Sequence, residues 1–215
     1  MKKIQEAMNF IQQDRFQEAS IIFEELLMDD PKNAEILYNL GMCFTELSHP
    51  EKALKALEQC IKYKPDFSNA YVALGFAYSK MDNPENAKKY FLEALELDAK
   101  NSFALRNLGG LFGRMGEIEK SLYYLEQAYQ INPSDPNTIY GLGYAYQKIS
   151  DYKKADLYYR KILAIDAPAN LNNLAKDGLR EIAVSHLKAK GFRMDAVFYM
   201  VNALKLYNQK TEQEI

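Results

Sequence analysis

The chain has 215 residues, 27 basic and 29 acidic, for a formal net charge of −2. That balance excludes a general attraction to nucleic acid or to an anionic membrane surface. A content of 48% hydrophobic and 26% charged residues fits a packed soluble protein and excludes a disordered tail or a membrane bundle. No apolar run approaches the roughly 18 residues of a membrane span. The first fifteen residues include Lys2, Lys3, Glu6, Asp14 and Arg15, so no secretory signal is expected. Cys43 and Cys60 are too few for a disulfide framework and point to a reducing, cytoplasmic setting.

In chain order, residues 1–33 read as a degenerate helix pair carried by Ala7, Phe10, Ala19, Phe23, Leu27 and Pro31. Residues 34–67 read as a full pair. A first helix over Ala34 to Leu47 has an apolar stripe at Leu37, Leu40, Gly41 and Phe44. Pro50 suits the first turn of a second helix, which carries Ala53, Leu57 and Cys60 and stops near Pro65. Residues 68–101 repeat the arrangement, with Asn83 as N-cap ahead of Pro84 and Glu85. Gly116 makes the turn in 102–135, and Ser150-Asp151 makes it in 136–169. Residues 170–176 then read as an insertion. A first helix of about Leu174 to Lys190 and a degenerate sixth unit over 177–210 follow, with Ala183, Leu187, Ala196, Met200 and Ala203 in register. The last residues, from Asn208, are polar.

Four Leu-Gly pairs, Leu40-Gly41, Leu74-Gly75, Leu108-Gly109 and Leu142-Gly143, recur at a period of 34. Each is followed three residues on by an aromatic (Phe44, Tyr78, Phe112, Tyr146), then by a small residue (Ala53, Ala87, Ser121, Ala155). Four further on stands a bulky one (Leu57, Phe91, Leu125, Tyr159). A glycine inside a helix costs about 1 kcal/mol against alanine. Its recurrence therefore implies close helix packing, with the small residue of the second helix expected to face it.

These residues resemble the tetratricopeptide repeat family over nearly the whole chain. The resemblance implies an all-α, right-handed superhelical solenoid of about six helix pairs, here one domain over 1–215. The first helix of each pair would line a concave groove. It also implies a non-catalytic adaptor or scaffold that binds a peptide or protein segment. Some family members grip a C-terminal carboxylate with basic and Asn residues, but that pattern is broken here. Arg106 fits the first position, whereas Gly110 and Gly141 replace the asparagines; from the preceding units, Tyr38 and Ala73 depart from it as well.

On the groove side, Lys80, Arg114 and Lys148 share one repeat position, with Arg106 nearby. They form either a positive row suited to an acidic segment or a merely solvated face. Aromatic residues Tyr38, Phe76, Phe103, Tyr140 and Tyr144 point to the same surface as candidate anchors, with core packing the competing reading, favoured for Phe76 and Phe103. Gly110 and Gly113 leave a bare floor or a hinge. Asn39 and Asn107 stand where related solenoids hold a peptide backbone. His49, His186 and the two cysteines compose no metal or nucleophile pattern, so neither catalysis, a cofactor nor a metal is expected. In the last helix, Val197, Val201 and Leu204 form an apolar line that could serve self-association into a homo-oligomer, unless the residues preceding it cover it. An oligomeric assembly protein, a secretion chaperone or an enzyme-regulating subunit would use the same fold.

Overall fold

The computed structural model describes residues 2–191, all of whose regular structure is helical. The apolar line at Val197, Val201 and Leu204, and the register positions Ala196, Met200 and Ala203, lie outside the described residues. Two compact units divide at Ile131 and Asn132.

The first unit holds four helix pairs: α1 (Lys2–Gln12) with α2 (Phe16–Asp29), α3 (Ala34–Glu46) with α4 (Pro50–Tyr63), α5 (Ser68–Lys80) with α6 (Pro84–Leu97), and α7 (Ser102–Arg114) with α8 (Ile118–Ile131). The second holds α9 (Pro136–Lys148), α10 (Tyr152–Leu163) and α11 (Ala169–Ala189).

Local chemistry sets the helix ends. The side chains of Asn33, Asn83, Asn101, Asp135 and Asp151 each accept a hydrogen bond from the backbone N–H three residues on. This satisfies one of the donors a helix start leaves open. Between the two helices of each pair the chain passes through the left-handed region, at Asp14, Ser48, Asp82 and Ser150 (φ 54° to 62°) and at Gly116 (φ 79°). The next N–H then reaches back five residues, His49 to the Phe44 carbonyl at 2.9 Å and Glu117 to that of Phe112 at 2.9 Å. This closure absorbs the last open carbonyls of the first helix and reverses the chain.

The recurrent glycines lie where the two helices of a pair press together, but the residue facing them differs from the expectation. A Cβ built on Gly41 would lie 2.5 Å from Leu57 Cγ, and on Gly75 2.5 Å from Phe91 Cδ1. On Gly109 it would lie 2.5 Å from Leu125 Cγ, and on Gly143 2.8 Å from Tyr159 Cδ1. The bulky residue of the second helix fills the space, and the small one four residues earlier contributes its backbone, as with the Ala87 carbonyl 3.0 Å from the Gly75 position. Helical side chains lean toward the N-terminus of their own helix, so Leu57 covers the turn that contains Ala53. Gly113 and Ser121 make a further close approach, 3.2 Å to Oγ. With Gly109 and Leu125, this pairing runs in opposite directions along α7 and α8, which are therefore antiparallel. Flat aromatic stacks join the same pairs of helices, Tyr78 with Tyr90 at 5.4 Å and Phe112 with Tyr124 at 5.5 Å.

Helix α11 begins at Ala169, so the segment 170–176, expected as an insertion, belongs to the helix. Its buried stripe is Leu171, Ala175, Gly178 and Ile182, whereas Ala183, expected in the stripe, is exposed. Gly178 decides this register, because the Tyr159 ring that fills the space beside Gly143 also presses on Gly178. The Tyr159 hydroxyl donates to Gln147 Oε1 at 2.6 Å, and Gln147 Nε2 donates to Glu181 Oε2 at 2.6 Å, tying α10, α9 and α11 together.

Candidate functional site

In the first unit, helices α3, α5 and α7 surround a concavity of about 250 Å³. Helix α3 contributes Tyr38, Met42 and Glu46, one turn apart along a single face. Helix α5 contributes Asn69, Val72, Ala73 and Phe76, and α7 contributes Phe103, Arg106 and Asn107. The hollow exists because α5 carries Val72 and Ala73 where α3 has Tyr38 and Asn39, and α7 has Arg106 and Asn107, at the same repeat positions. Ala73 is 1% exposed and lies at the bottom.

The walls are mostly apolar. Phe103 is 50% exposed, which overturns its expected place in the core. It opens α7 on the groove face, where no helix of the unit covers it. Phe76 is half-buried and lines the same hollow. The Arg106 guanidinium lies 5.2 Å from the centre of the Phe103 ring, and Tyr38 packs on Phe67 with ring centres 5.2 Å apart. Burial raises the Tyr38 hydroxyl pKa above its ordinary value, so it stays a neutral donor or acceptor.

The expected positive row is partly answered within the protein. Lys80 Nζ lies 3.3 Å from Glu46 Oε2, at the same position one repeat earlier, and over the Phe76 ring at 5.3 Å. Arg114 Nη2 donates to Ser79 Oγ at 2.6 Å. Lys148 belongs to the second unit, where it lies 4.9 Å from the Tyr144 ring centre; Tyr144 stacks on Tyr140 at 6.4 Å. Asn39 donates to the Glu35 carbonyl of its own helix at 2.9 Å and does not line the hollow, while Asn107 does. Gly110 is exposed, and a Cβ there would meet only Arg114 Nη1, at 4.0 Å.

One supporting residue escaped the sequence reading. Asn101 is buried, and its Oδ1 caps α7. Its Nδ2 donates to Ser68 Oγ at 2.8 Å and to Asn69 Oδ1 at 2.9 Å, and Ser68 Oγ donates to the Ala94 carbonyl at 2.9 Å. The knot joins the starts of α5 and α7 to the end of α6 and orients Asn69 at the hollow's wall. An asparagine directly before a predicted helix was the available signal.

Cys43 and Cys60 are buried free thiols whose pKa burial raises to about 11. Among the described residues, no group of three His, Cys, Asp or Glu side chains could hold a metal, and no helix is long and apolar enough to cross a membrane.

Three tetratricopeptide repeat profiles match the sequence, over residues 34–67, 66–134 and 136–168. The chain belongs to the tetratricopeptide repeat family. Its fold is an all-α helical repeat of the solenoid class, and members of this family are generally protein-interaction scaffolds. Among solved structures it is similar to MamA, at 25% identity over 74% of this chain and 92% of that one, with a TM-score of 0.59. PilW, described as a widely conserved type IV pilus biogenesis factor, matches at 22% identity over 97% of this chain and 92% of that one, with a TM-score of 0.74. A thermophilic tetratricopeptide repeat protein of Thermus thermophilus matches at 19% over 83% and 97%, with a TM-score of 0.75. The last two likenesses concern the fold alone. No curated protein matches the sequence.

Proposed function

We propose that this tetratricopeptide repeat protein is a non-catalytic adaptor whose first unit binds a protein segment through one bulky apolar side chain seated between α3, α5 and α7. The supporting observation is the exposed Phe103 ring beside a hollow with apolar walls. An apolar concavity with polar groups at its rim is the usual form of a docking site, and bulky aromatic contacts are its usual anchors. Arg106, Asn69 and Asn107 at the rim supply donors to orient the segment. The buried free thiols suit a reducing cytoplasm.

Selection of a displayed random peptide library on the purified protein tests this reading. Selected peptides are expected to share a large apolar residue and to lose affinity by about tenfold or more on Phe103→Asp. Phe103 makes few packing contacts to lose, so the variant is expected to keep the wild-type circular dichroism spectrum. Selected peptides that bind the variant as they bind the wild type would refute the reading.

A further inference from the structure

We propose that the bound segment is acidic and crosses α7 at Gly110, where one of its carboxylates pairs with the Arg114 guanidinium. This rests on the groove reading above and adds the ligand's charge and its path.

Neither packing nor backbone geometry requires a glycine at 110. A Cβ on Gly41, Gly75 or Gly109 would collide with the facing helix, whereas one on Gly110 would stand clear. Its φ is not in the left-handed region; among described residues only Gly116 and Gly191 carry a positive glycine φ. The same repeat position holds Met42 on α3 and Phe76 on α5, so a large side chain fits that place in the fold. What the glycine does supply is a bare stretch of α7, one turn past Asn107, along which another main chain can lie close to the helix.

A cation is already set over that stretch. The Ser79 hydroxyl holds Arg114 Nη2 at 2.6 Å, while Nη1 faces Gly110. A guanidinium held through one nitrogen presents its remaining donors in a fixed direction, which favours a carboxylate over a neutral amide and reduces the ordering needed on binding. Arg106, one turn before Gly110, adds a second guanidinium on the same helix. Charge sorts the two sides of the hollow. Glu46 on α3 already neutralises Lys80, whereas the hydroxyl that holds Arg114 carries no charge, so an acidic ligand is drawn to α7. The partner chemistry is an internal Asp or Glu side chain near a bulky apolar residue.

The test uses the full chain and two fluorescein-labelled peptides, one Glu-rich with a single central Phe and one with every Glu replaced by Gln. Fluorescence anisotropy is expected to show the Glu peptide binding about tenfold tighter. Arg114→Glu should abolish that preference. Lys55→Glu, the same charge change on the exposed face of α4, should keep it. Gly110→Tyr should weaken both peptides about tenfold while melting no lower than wild type. Equal binding of the two peptides, no binding of either, a preference that survives Arg114→Glu, or full binding by Gly110→Tyr would overturn the proposal. If the two peptides bind equally but both are lost on Phe103→Asp, the groove reading stands and this inference fails. If binding ignores Phe103, the groove reading itself fails.

Discussion

The ring of Tyr159 and the backbone of Gly178 are in contact so close that a Cβ on the glycine would lie 2.5 Å from Tyr159 Cζ. The same ring fills the space beside Gly143, so one aromatic side chain fastens α10 to both α9 and α11. Gly178→Ala is therefore expected to destabilise the second unit by about 1–3 kcal/mol through overpacking. Tyr159→Leu, the residue type that Leu57 and Leu125 place at this repeat position, should relieve much of that loss in the double variant. Urea unfolding of the wild type, both single variants and the double variant reads the coupling; additive losses would show that the two residues do not press on each other.

Gly75 and Gly110 predict opposite signs for one chemical change. Gly75→Ala drives a methyl to within 2.5 Å of the Phe91 ring and should cost about 1–3 kcal/mol. Gly110→Ala meets open space and should stabilise by up to about 1 kcal/mol. Thermal melts separate them, since each kcal/mol moves the midpoint by about 2–4 °C at this chain length.

Asn101→Ala removes the α7 cap and two side-chain donors at a buried place, and should cost about 1–3 kcal/mol. Asn101→Asp keeps the cap acceptor while losing the donors, and should fall between wild type and alanine in the same melts. Equal stability of all three would remove Asn101 from any supporting role.

The thiols predict an alkaline limit. Ionisation of Cys43 and Cys60 moves from 9.0 to about 11 on folding, because burial disfavours the thiolate. The folded state thus holds its protons longer than the unfolded one. The stability this contributes is full below pH 9 and is lost as pH rises toward 11. Unfolding free energies measured across that window should fall less steeply in a Cys43→Ala, Cys60→Ala variant than in wild type. At neutral pH both thiols should react with Ellman's reagent only as fast as the protein opens.

The helix pairs of residues 34–168 were legible because a helix-interior glycine is costly and a period of 34 repeats its reason. What faces each glycine was not, since spacing along a helix says nothing of the way side chains lean. Helix α11 was misread because it lacks the Leu-Gly pair, and its register depends on Tyr159, a distant residue whose ring has two sides to cover. Tyr38, Phe76, Arg106 and Asn107 could be placed on one face by period alone, and they line one hollow. The partners of Lys80 and Arg114 could not be placed so. Glu46 beside Lys80 and Ser79 beside Arg114 are contacts between successive repeats, and they depend on side-chain reach.

Lys80 meets Glu46, its own counterpart one repeat back, while Arg114 finds a lysine at the equivalent place and turns to Ser79 instead. The repeats are thus not interchangeable bricks. An array that put another unit ahead of the third would take Glu46 from Lys80, so the charge balance of that unit depends on which unit precedes it.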